Sequence, residues 1–236
     1  MDAVVPAAGR GTRLRPLTDT RPKGLLEVAN EPILAHVFDR LLEVDVDTIV
    51  VVVGYRGDQI IDYFGDSYRN TPIEYAHQDE RNGLAHAIAQ TEDVVDDEFL
   101  VVNGDNVFGT SLEPVVRTHR QPDVDATLLV EQATTEISRT TGVVQTADDG
   151  TVHEIVEKPD EPPTTRITTG VYALPDSIFD HCRAISPSDR GEYELADALE
   201  RLRNYGGRIE TVELEGWRVN VNTERDLERA ATFLTE

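Results

Sequence analysis

Read from its amino terminus, the chain alternates short apolar runs with amphipathic stretches. Runs of strand character cover Ala3 to Val5, Thr48 to Val53, Ile73 to Ala76, Phe99 to Val102, Ala126 to Val130 and Ile167 to Tyr172, each long enough for a buried strand. Between several of them lie stretches of helical period. Pro32 stands as a first-turn residue before "ILAHVFDRLLEV", Gly83 precedes "LAHAIAQT", and "YELADALERLRNYGG" closes on the glycine pair Gly206 and Gly207, suited to a helix C-terminus. Strand, helix and strand alternating at short spacing predict βαβ units and an α/β fold: a Rossmann-like, mostly parallel mixed sheet flanked by helices. The second half is less regular. Short strands are expected near Val143, Val152 to Val156, Ile167 to Ala173 and Ile209 to Leu214, then a closing helix from Thr223, all as an extension on the same sheet. The one linker-like stretch, "KPDEPPTTR" at 158 to 166, carries three prolines and is expected as a surface loop.

Composition narrows the picture. At 236 residues and 39% hydrophobic content the chain is expected to bury one full core, so a single domain is expected. No run of about eighteen apolar residues occurs and the opening "MDAVVPAAGRG" lacks a charged and then apolar leader, which gives the expectation of a cytoplasmic protein with no membrane partner. Cys182 is alone, so no intrachain disulfide can form. The six histidines are scattered without HxxxH or HExxH spacing, which argues against zinc.

Charge changes more. With 45 acidic residues against 22 basic ones and a formal net charge of -23, most of the surface repels a phosphate backbone, so no nucleic-acid partner is expected. Lysine occurs only at 23 and 158; every other basic residue is arginine. So acidic and lysine-poor a surface is expected of a protein from a salt-rich cytoplasm, where screening to roughly 3 Å at 1 M makes self-repulsion tolerable. Against this background "RGTRLRPLTDTRPK", from Arg10 to Lys23, sets Arg10, Arg13, Arg15, Arg21 and Lys23 against the single anion Asp19.

That stretch follows the first predicted strand as "PAAGRGTRLRPLT", a glycine-bearing loop at the carboxyl end of a strand, where open α/β sheets bind ligands. Gly9 and Gly11 let backbone amides approach a phosphate, and the arginines neutralise it. It is neither common phosphate loop: Leu14 stands where GxGxxG needs its third glycine and where GxxxxGK[ST] needs its second. It resembles instead the signature of sugar nucleotidyltransferases, GxGTRLxPLTxxxPKxL, matched from Gly9 through Leu25 as "GRGTRLRPLTDTRPKGL". The similarity is closest to the short archaeal glucose-1-phosphate uridylyl- and thymidylyltransferases. It implies the GT-A-like fold of nucleotide-diphospho-sugar transferases, with a nucleotide-binding half of about residues 1–110 and a sugar-phosphate half of about 111–236.

The resemblance implies roles residue by residue. Ala7, Ala8, Gly9, Gly11, Thr12 and Arg13 are placed on the nucleotide, the loop wrapping the triphosphate, and Lys23 reaches the phosphates near the reacting centre. Arg10, Arg15 and Arg21 either share that work or form a solvated cluster. "QDERNGLAHAI" at 78 to 88 is similar to the base-reading segment, with Gln78 and Gly83 at the nucleobase; the amide of Gln78 carries both a donor and an acceptor for uracil or thymine. "FLVVNGDN" at 99 to 106 ends a strand in Asp105, placed to hold Mg²⁺. "TGVV", "VEKP" and "TTGVYAL" resemble the sugar-phosphate site. Gly142 and Thr169 then border the sugar, Glu157 accepts its hydroxyls, and Lys158 holds its phosphate as a point charge. In "RGEYELADAL", Glu192 either touches the sugar or starts a helix. One departure stands out: where the family often has an aspartate as second metal ligand, "GWRVNVNTERD" offers Asn220 and Asn222, either of which supplies a neutral oxygen.

The implied reaction is attack by a sugar 1-phosphate on the α-phosphorus of a nucleoside triphosphate, with Arg13, Lys23 and Asp105 as the catalytic groups. UTP with glucose 1-phosphate is the expected pair, supplying UDP-glucose for glycosylation. dTTP, GTP with mannose 1-phosphate and UTP with N-acetylglucosamine 1-phosphate are the alternatives. More distant ones are a GT-A glycosyltransferase, for which "GDN" is a poor DxD, and a non-catalytic regulatory relative, which would not be expected to keep Lys23 and Asp105. No attached left-handed β-helix domain is expected, and self-association into a homo-oligomer is left open.

Overall fold

The computed structural model describes residues 1–235. Its first half runs β1 (Asp2–Pro6), a long loop with three short 3₁₀ turns, the small hairpin β2 (Glu27–Val28) and β3 (Glu31–Pro32), α1 (Ile33–Leu42), β4 (Ile49–Val53), α2 (Gly57–Phe64), β5 (Ser67–Tyr68), β6 (Thr71–His77), α3 (Leu84–Ala89), β7 (Phe99–Val102) and β8 (Asn106–Phe108). There follow α4 (Glu113–His119), β9 (Ala126–Gln132), α5 (Thr135–Ser138), β10 (Gly142–Thr146), β11 (Val152–Glu157), β12 (Arg166–Leu174), α6 (Ile178–Ala184), α7 (Leu195–Asn204), β13 (Ile209–Glu213), β14 (Arg218–Asn220) and α8 (Glu224–Thr235).

The main sheet has the order β11-β10-β12-β7-β1-β4-β6-β5, with β9 and β13 attached beside β12. Strands β7, β1, β4 and β6 are parallel, as the alternation of runs predicts. Apart from the edge pair β5–β6, the antiparallel pairs of this sheet gather around β9, β10, β11 and β12, so the less regular second half extends the same sheet. Strand β4 is Ile-Val-Val-Val-Val and wholly buried; β-branched side chains suit a pleat covered on both sides. Alternate positions divide between two cores. Val4, Val50, Val52 and Val101 face α3, α6 and α7, while Ala3, Val5, Val51 and Val102 face α1, α2 and α4.

A third cluster matters most for the site. Leu14, Leu26, Val28, Ile33, Val107, Val219, Val221 and Ala230 pack together, pinning the basic loop to the β8–β14 pair and to α8. The chain leaves β1, passes through α1 to β4 and on to β6, then returns to β7 on the other side of β1. That reversal puts a topological switch point at the carboxyl end of β1, where ligands of open α/β sheets bind.

Candidate active site

The loop leaving β1 begins at Ala7, whose amide donates to Val52 O at 2.8 Å, and Ala8, whose carbonyl accepts from Tyr55 N at 3.2 Å. Gly9 is exposed with open space where a Cβ would stand. Among the described residues the amides of Gly9, Arg10 and Gly11 find no backbone acceptor, which leaves them for a ligand. Gly11 holds φ at +58°, and a Cβ there would meet Lys23 Cβ at 3.1 Å and Thr18 Cγ2 at 3.0 Å. Glycine therefore lets the loop fold back and seat Lys23 against its own beginning.

Lys23 spans the site. Its Nζ donates to Asp105 Oδ2 at 2.8 Å and to Asn222 Oδ1 at 3.1 Å, and Arg13 adds a second cationic donor to the same Asn222 oxygen at 2.9 Å. Because neither cation has an acceptor, the Asn222 carboxamide is oriented with its oxygen toward them. Its Nδ2 donates to Asn220 Oδ1 at 2.7 Å. Backbone pairing sets this meeting: β14 runs antiparallel to β8 with Asn220 opposite Asn106, and Val221 N donates to Asp105 O at 2.9 Å. The start of α8 fixes the rest. Asp226 Oδ2 accepts from the amides of Asn222 (3.1 Å) and Thr223 (2.9 Å), and Thr223 Oγ1 accepts from Asp226 N at 3.3 Å, a capping box that anchors Asn222 one residue before its cap.

Among the described residues no group of three or more His, Cys, Asp or Glu side chains is placed to hold a metal. The donors gathered here are one carboxylate and two carboxamides, all oxygen, the chemistry of a hard divalent cation. A cation in fact stands between them, the ammonium of Lys23.

Beside this cluster opens a cavity of about 810 Å³. Arg13, Asp105, Asn220 and Asn222 line one part of it, and Gly142, Glu157, Lys158, Thr169 and Glu192 line another. Glu157 ends β11 opposite Gly142, where a Cβ would lie 2.9 Å from Glu157 Oε2. Burial pushes the Glu157 carboxyl above its usual range, against the pull of Lys158, whose Nζ lies 3.1 Å from Glu157 Oε1. Lys158 itself is held at φ 45°, a strained state for a lysine, with its amide on Thr141 O at 3.2 Å.

Ala7, Ala8, Gly9, Gly11, Thr12, Gln78 and Gly83 lie outside the cavity lining, on the β1 and β6 side. Gln78 is 4% exposed, and its Nε2 is shared between Gly83 O at 3.1 Å and His86 Nδ1 at 3.0 Å. Its amide donors are therefore occupied and only its oxygen is left for a ligand, one group fewer than the sequence suggests. Gly83 presses on the backbone of Tyr193: Ala85 N donates to Tyr193 O at 3.0 Å and Tyr193 N to Asn82 O at 2.6 Å. This stitch carries Glu192 to the cavity, half-buried just ahead of α7.

Thr169 borders the cavity by backbone alone. Its hydroxyl donates to Leu129 O at 2.9 Å, and its carbonyl accepts from Arg218 at 3.3 Å; Thr168 Oγ1, close to Gly142, is the neighbouring hydroxyl on the Glu157 side. Arg218 is the residue that sequence reasoning passes over. Its guanidinium donates to Asn106 Oδ1 at 2.9 Å and pairs with Glu131, its side chain 8% exposed, and so braces β14 behind the Asp105 cluster. The signal was an arginine inside the alternating run "WRVNVN".

Comparison with known proteins agrees with this geometry. The sequence profile of the Nucleotidyl transferase family matches residues 2–236. The chain is 44% identical over 236 residues to UTP–glucose-1-phosphate uridylyltransferase AglF of Haloferax volcanii, covering 100% of this chain and 97% of that protein. It is 35% identical over 219 residues to the bifunctional protein GlmU of Methanococcus maripaludis, covering 92% of this chain and 50% of that protein. In three dimensions it is similar to a solved structure described as a candidate glucose-1-phosphate thymidylyltransferase from Bacillus anthracis, with TM-score 0.88 and 28% identity over 98% of this chain and 94% of that one.

Proposed function

The chain belongs to the Nucleotidyl transferase family, and from that premise we propose that it transfers the uridylyl group of UTP to glucose 1-phosphate, giving UDP-glucose and pyrophosphate. The observation that carries the reading is the meeting of Lys23, Arg13, Asp105 and Asn222 at the edge of the cavity that holds Glu157 and Lys158. The uridylyltransferase relative, alike over almost its full length, favours UTP over dTTP and glucose over other sugars. We read the chain as one domain with its nucleotide half before about residue 110, working in the cytoplasm where nucleoside triphosphates are made.

In this mechanism an oxygen of the sugar phosphate attacks the α-phosphorus. The new P–O bond forms as the bond to the β-phosphate breaks, and pyrophosphate leaves with the electron pair. The nucleophile is already an anion, so no general base is needed. The free amides of Gly9 to Gly11 cradle the triphosphate, and Arg13 and Lys23 neutralise its charge. Gln78 Oε1 accepts the ring N–H of uracil. Glu157 accepts sugar hydroxyls, with Glu192 beside them, while Lys158 leaves Glu157 for the sugar phosphate, which keeps the attacking oxygen aligned. Asp105 and Asn222 would hold Mg²⁺, with Asn220 orienting Asn222; bound there, Mg²⁺ would neutralise phosphate charge. Asn222 is preferred because its oxygen meets the same Lys23 ammonium as Asp105, which brings the two donors to one point, whereas the Asn220 oxygen faces the Asn222 amide.

Pyrophosphate release decides the reading. UTP, dTTP, CTP and GTP are crossed with the 1-phosphates of glucose, galactose, mannose and N-acetylglucosamine, in Mg²⁺ and high KCl. The highest kcat/KM is expected for UTP with glucose 1-phosphate, and Lys23→Ala and Asp105→Ala are each expected to lower kcat about 10²- to 10³-fold. No release with any pair would overturn the proposed activity; near-normal turnover in either variant would overturn the roles.

A further inference from the structure

The two cations assigned to the triphosphate are engaged on other partners in this structure. Lys23 Nζ, with 13% of its side chain exposed, sits 2.8 Å from Asp105 Oδ2 and 3.1 Å from Asn222 Oδ1. Arg13 brings a further donor to the Asn222 oxygen at 2.9 Å, which fills both lone pairs of that carbonyl. These are the oxygens that a divalent cation would use. An ammonium hydrogen-bonded to both of them and a dication bound by both of them cannot coexist: the Asn222 oxygen has no lone pair left for the dication, and beside Asp105 the two positive charges repel at such range.

We propose that Lys23 is a resident counter-ion of the divalent-cation site, held with Arg13 between Asp105 and Asn222 until a nucleoside triphosphate arrives, and that cation and triphosphate therefore bind only together. The inference rests on Asp105 and Asn222 being the cation's donors. Charge balance supports it. Asp105 and Lys23 neutralise one another in the free protein, whereas a dication on Asp105 with Lys23 displaced would leave two positive charges unmatched. The triphosphate matches them, and it is also the new partner that Lys23 and Arg13 need on leaving.

A neutral carboxamide at 222 serves this exchange. One carboxylate is enough to hold the lysine in place. A second one at 222 would grip both cations harder and would also bind a dication without nucleotide. Part-buried in a strongly acidic protein, the ammonium moreover guards the site against the cations such a surface gathers. By linkage, whatever factor the nucleotide adds to cation affinity the cation adds to nucleotide affinity.

Mn²⁺ is the probe, its free fraction read by electron paramagnetic resonance in 1 M KCl, with wild type, Lys23→Met, Asp105→Asn and the double variant, folding being checked by circular dichroism. Without nucleotide, wild type is expected to bind no more Mn²⁺ than Asp105→Asn. Lys23→Met is expected to gain one Mn²⁺ at least about tenfold tighter, equivalent to about 1.4 kcal/mol, and the double variant is expected to lose it. Asp105-dependent Mn²⁺ binding by nucleotide-free wild type would overturn the exchange, and this comparison stands even if Lys23→Met does not fold. Equal Mn²⁺ binding by folded Lys23→Met and wild type would overturn it too. Failure of the underlying assignment looks different: the double variant would bind Mn²⁺ as well as Lys23→Met does.

Discussion

Glu157 is a carboxylate whose place in the cavity works against the stability of the fold. Burial raises its pKa above the ordinary value of 4.5 despite Lys158 at 3.1 Å. A carboxyl whose folded pKa is raised adds stability fully below its unfolded pKa, and that contribution is lost as pH rises through the folded value. At pH 7, above the ordinary carboxyl range, the folded chain therefore resists an ionisation that the unfolded chain makes freely in water, and the group costs stability there. Glu157→Gln is expected to raise the melting temperature at pH 7, with the gain shrinking toward zero below about pH 4. The same variant removes a charged acceptor for sugar hydroxyls, a contact of about 1.5–3 kcal/mol, and so is expected to raise the KM for glucose 1-phosphate about tenfold or more. Melting curves at pH 4 and 7 check the first part and steady-state kinetics the second; a variant no more stable than wild type at pH 7 would mean that Lys158 fully offsets the burial.

Between elements, the stitch at Gly83 joins α3 to the segment ahead of α7, 110 positions on. Gly83 holds φ at +104°, and a Cβ would stand 2.5 Å from Tyr193 O and 2.7 Å from Tyr193 N, backbone atoms that cannot swing away. Gly83→Ala is expected to cost about 2–5 kcal/mol, strain and overpacking together, measured by urea unfolding. It is also expected to raise KM for both substrates, because the Gly83 carbonyl holds Gln78 and the stitch holds Glu192. A loss under about 1 kcal/mol would mean that the two segments part easily. No sequence pattern announces this pairing, and the same holds for several elements. The six strands of the apolar runs, with α1, α3, α7 and α8, are legible from period and capping residues. Helices α2, α4 and α6 are not: each has seven or eight residues, too short to stand alone, and each forms by burying a few side chains such as Ile60 and Phe64, Val115 and Val116, or Ile178 and Phe179. Strand β14 is three residues long and exists through β8. The candidate site divides in the same way. Its residue types are legible in the motifs, but the sharing of Lys23 with Asp105 and Asn222, 82 and 199 positions away, is a product of the packing under the loop.

Across the whole molecule, a net charge of -23 makes self-repulsion a property of the fold rather than of any one pair. Part of it sits at the end of the sheet away from the site. There Asp2, Asp47, Asp96, Asp97, Glu98 and Asp176 surround a second cavity with Arg120 as the cationic side chain among its lining residues. Salt acts unequally on this repulsion and on the site. The Debye length falls from about 10 Å at 0.1 M to about 3 Å at 1 M, which damps exposed charges separated by several ångströms and leaves the part-buried Lys23–Asp105 pair in contact. Melting temperature should therefore rise with KCl, but salts also strengthen apolar burial, and a rise alone does not isolate charge. Asp97→Asn does. Asp97 sits at φ 53°, a conformation asparagine adopts as readily as aspartate, so the change removes one charge with little effect on the backbone. At 0.1 M KCl it is expected to raise the melting temperature by about 1–2 °C, and at 2 M the gain should vanish, because the charge it removes is then already screened. An equal gain at both salt concentrations would show a local backbone effect instead. Loss of the gain at high salt, with UTP turnover unchanged throughout, would place the salt dependence of stability in the acidic surface and not in the basic loop.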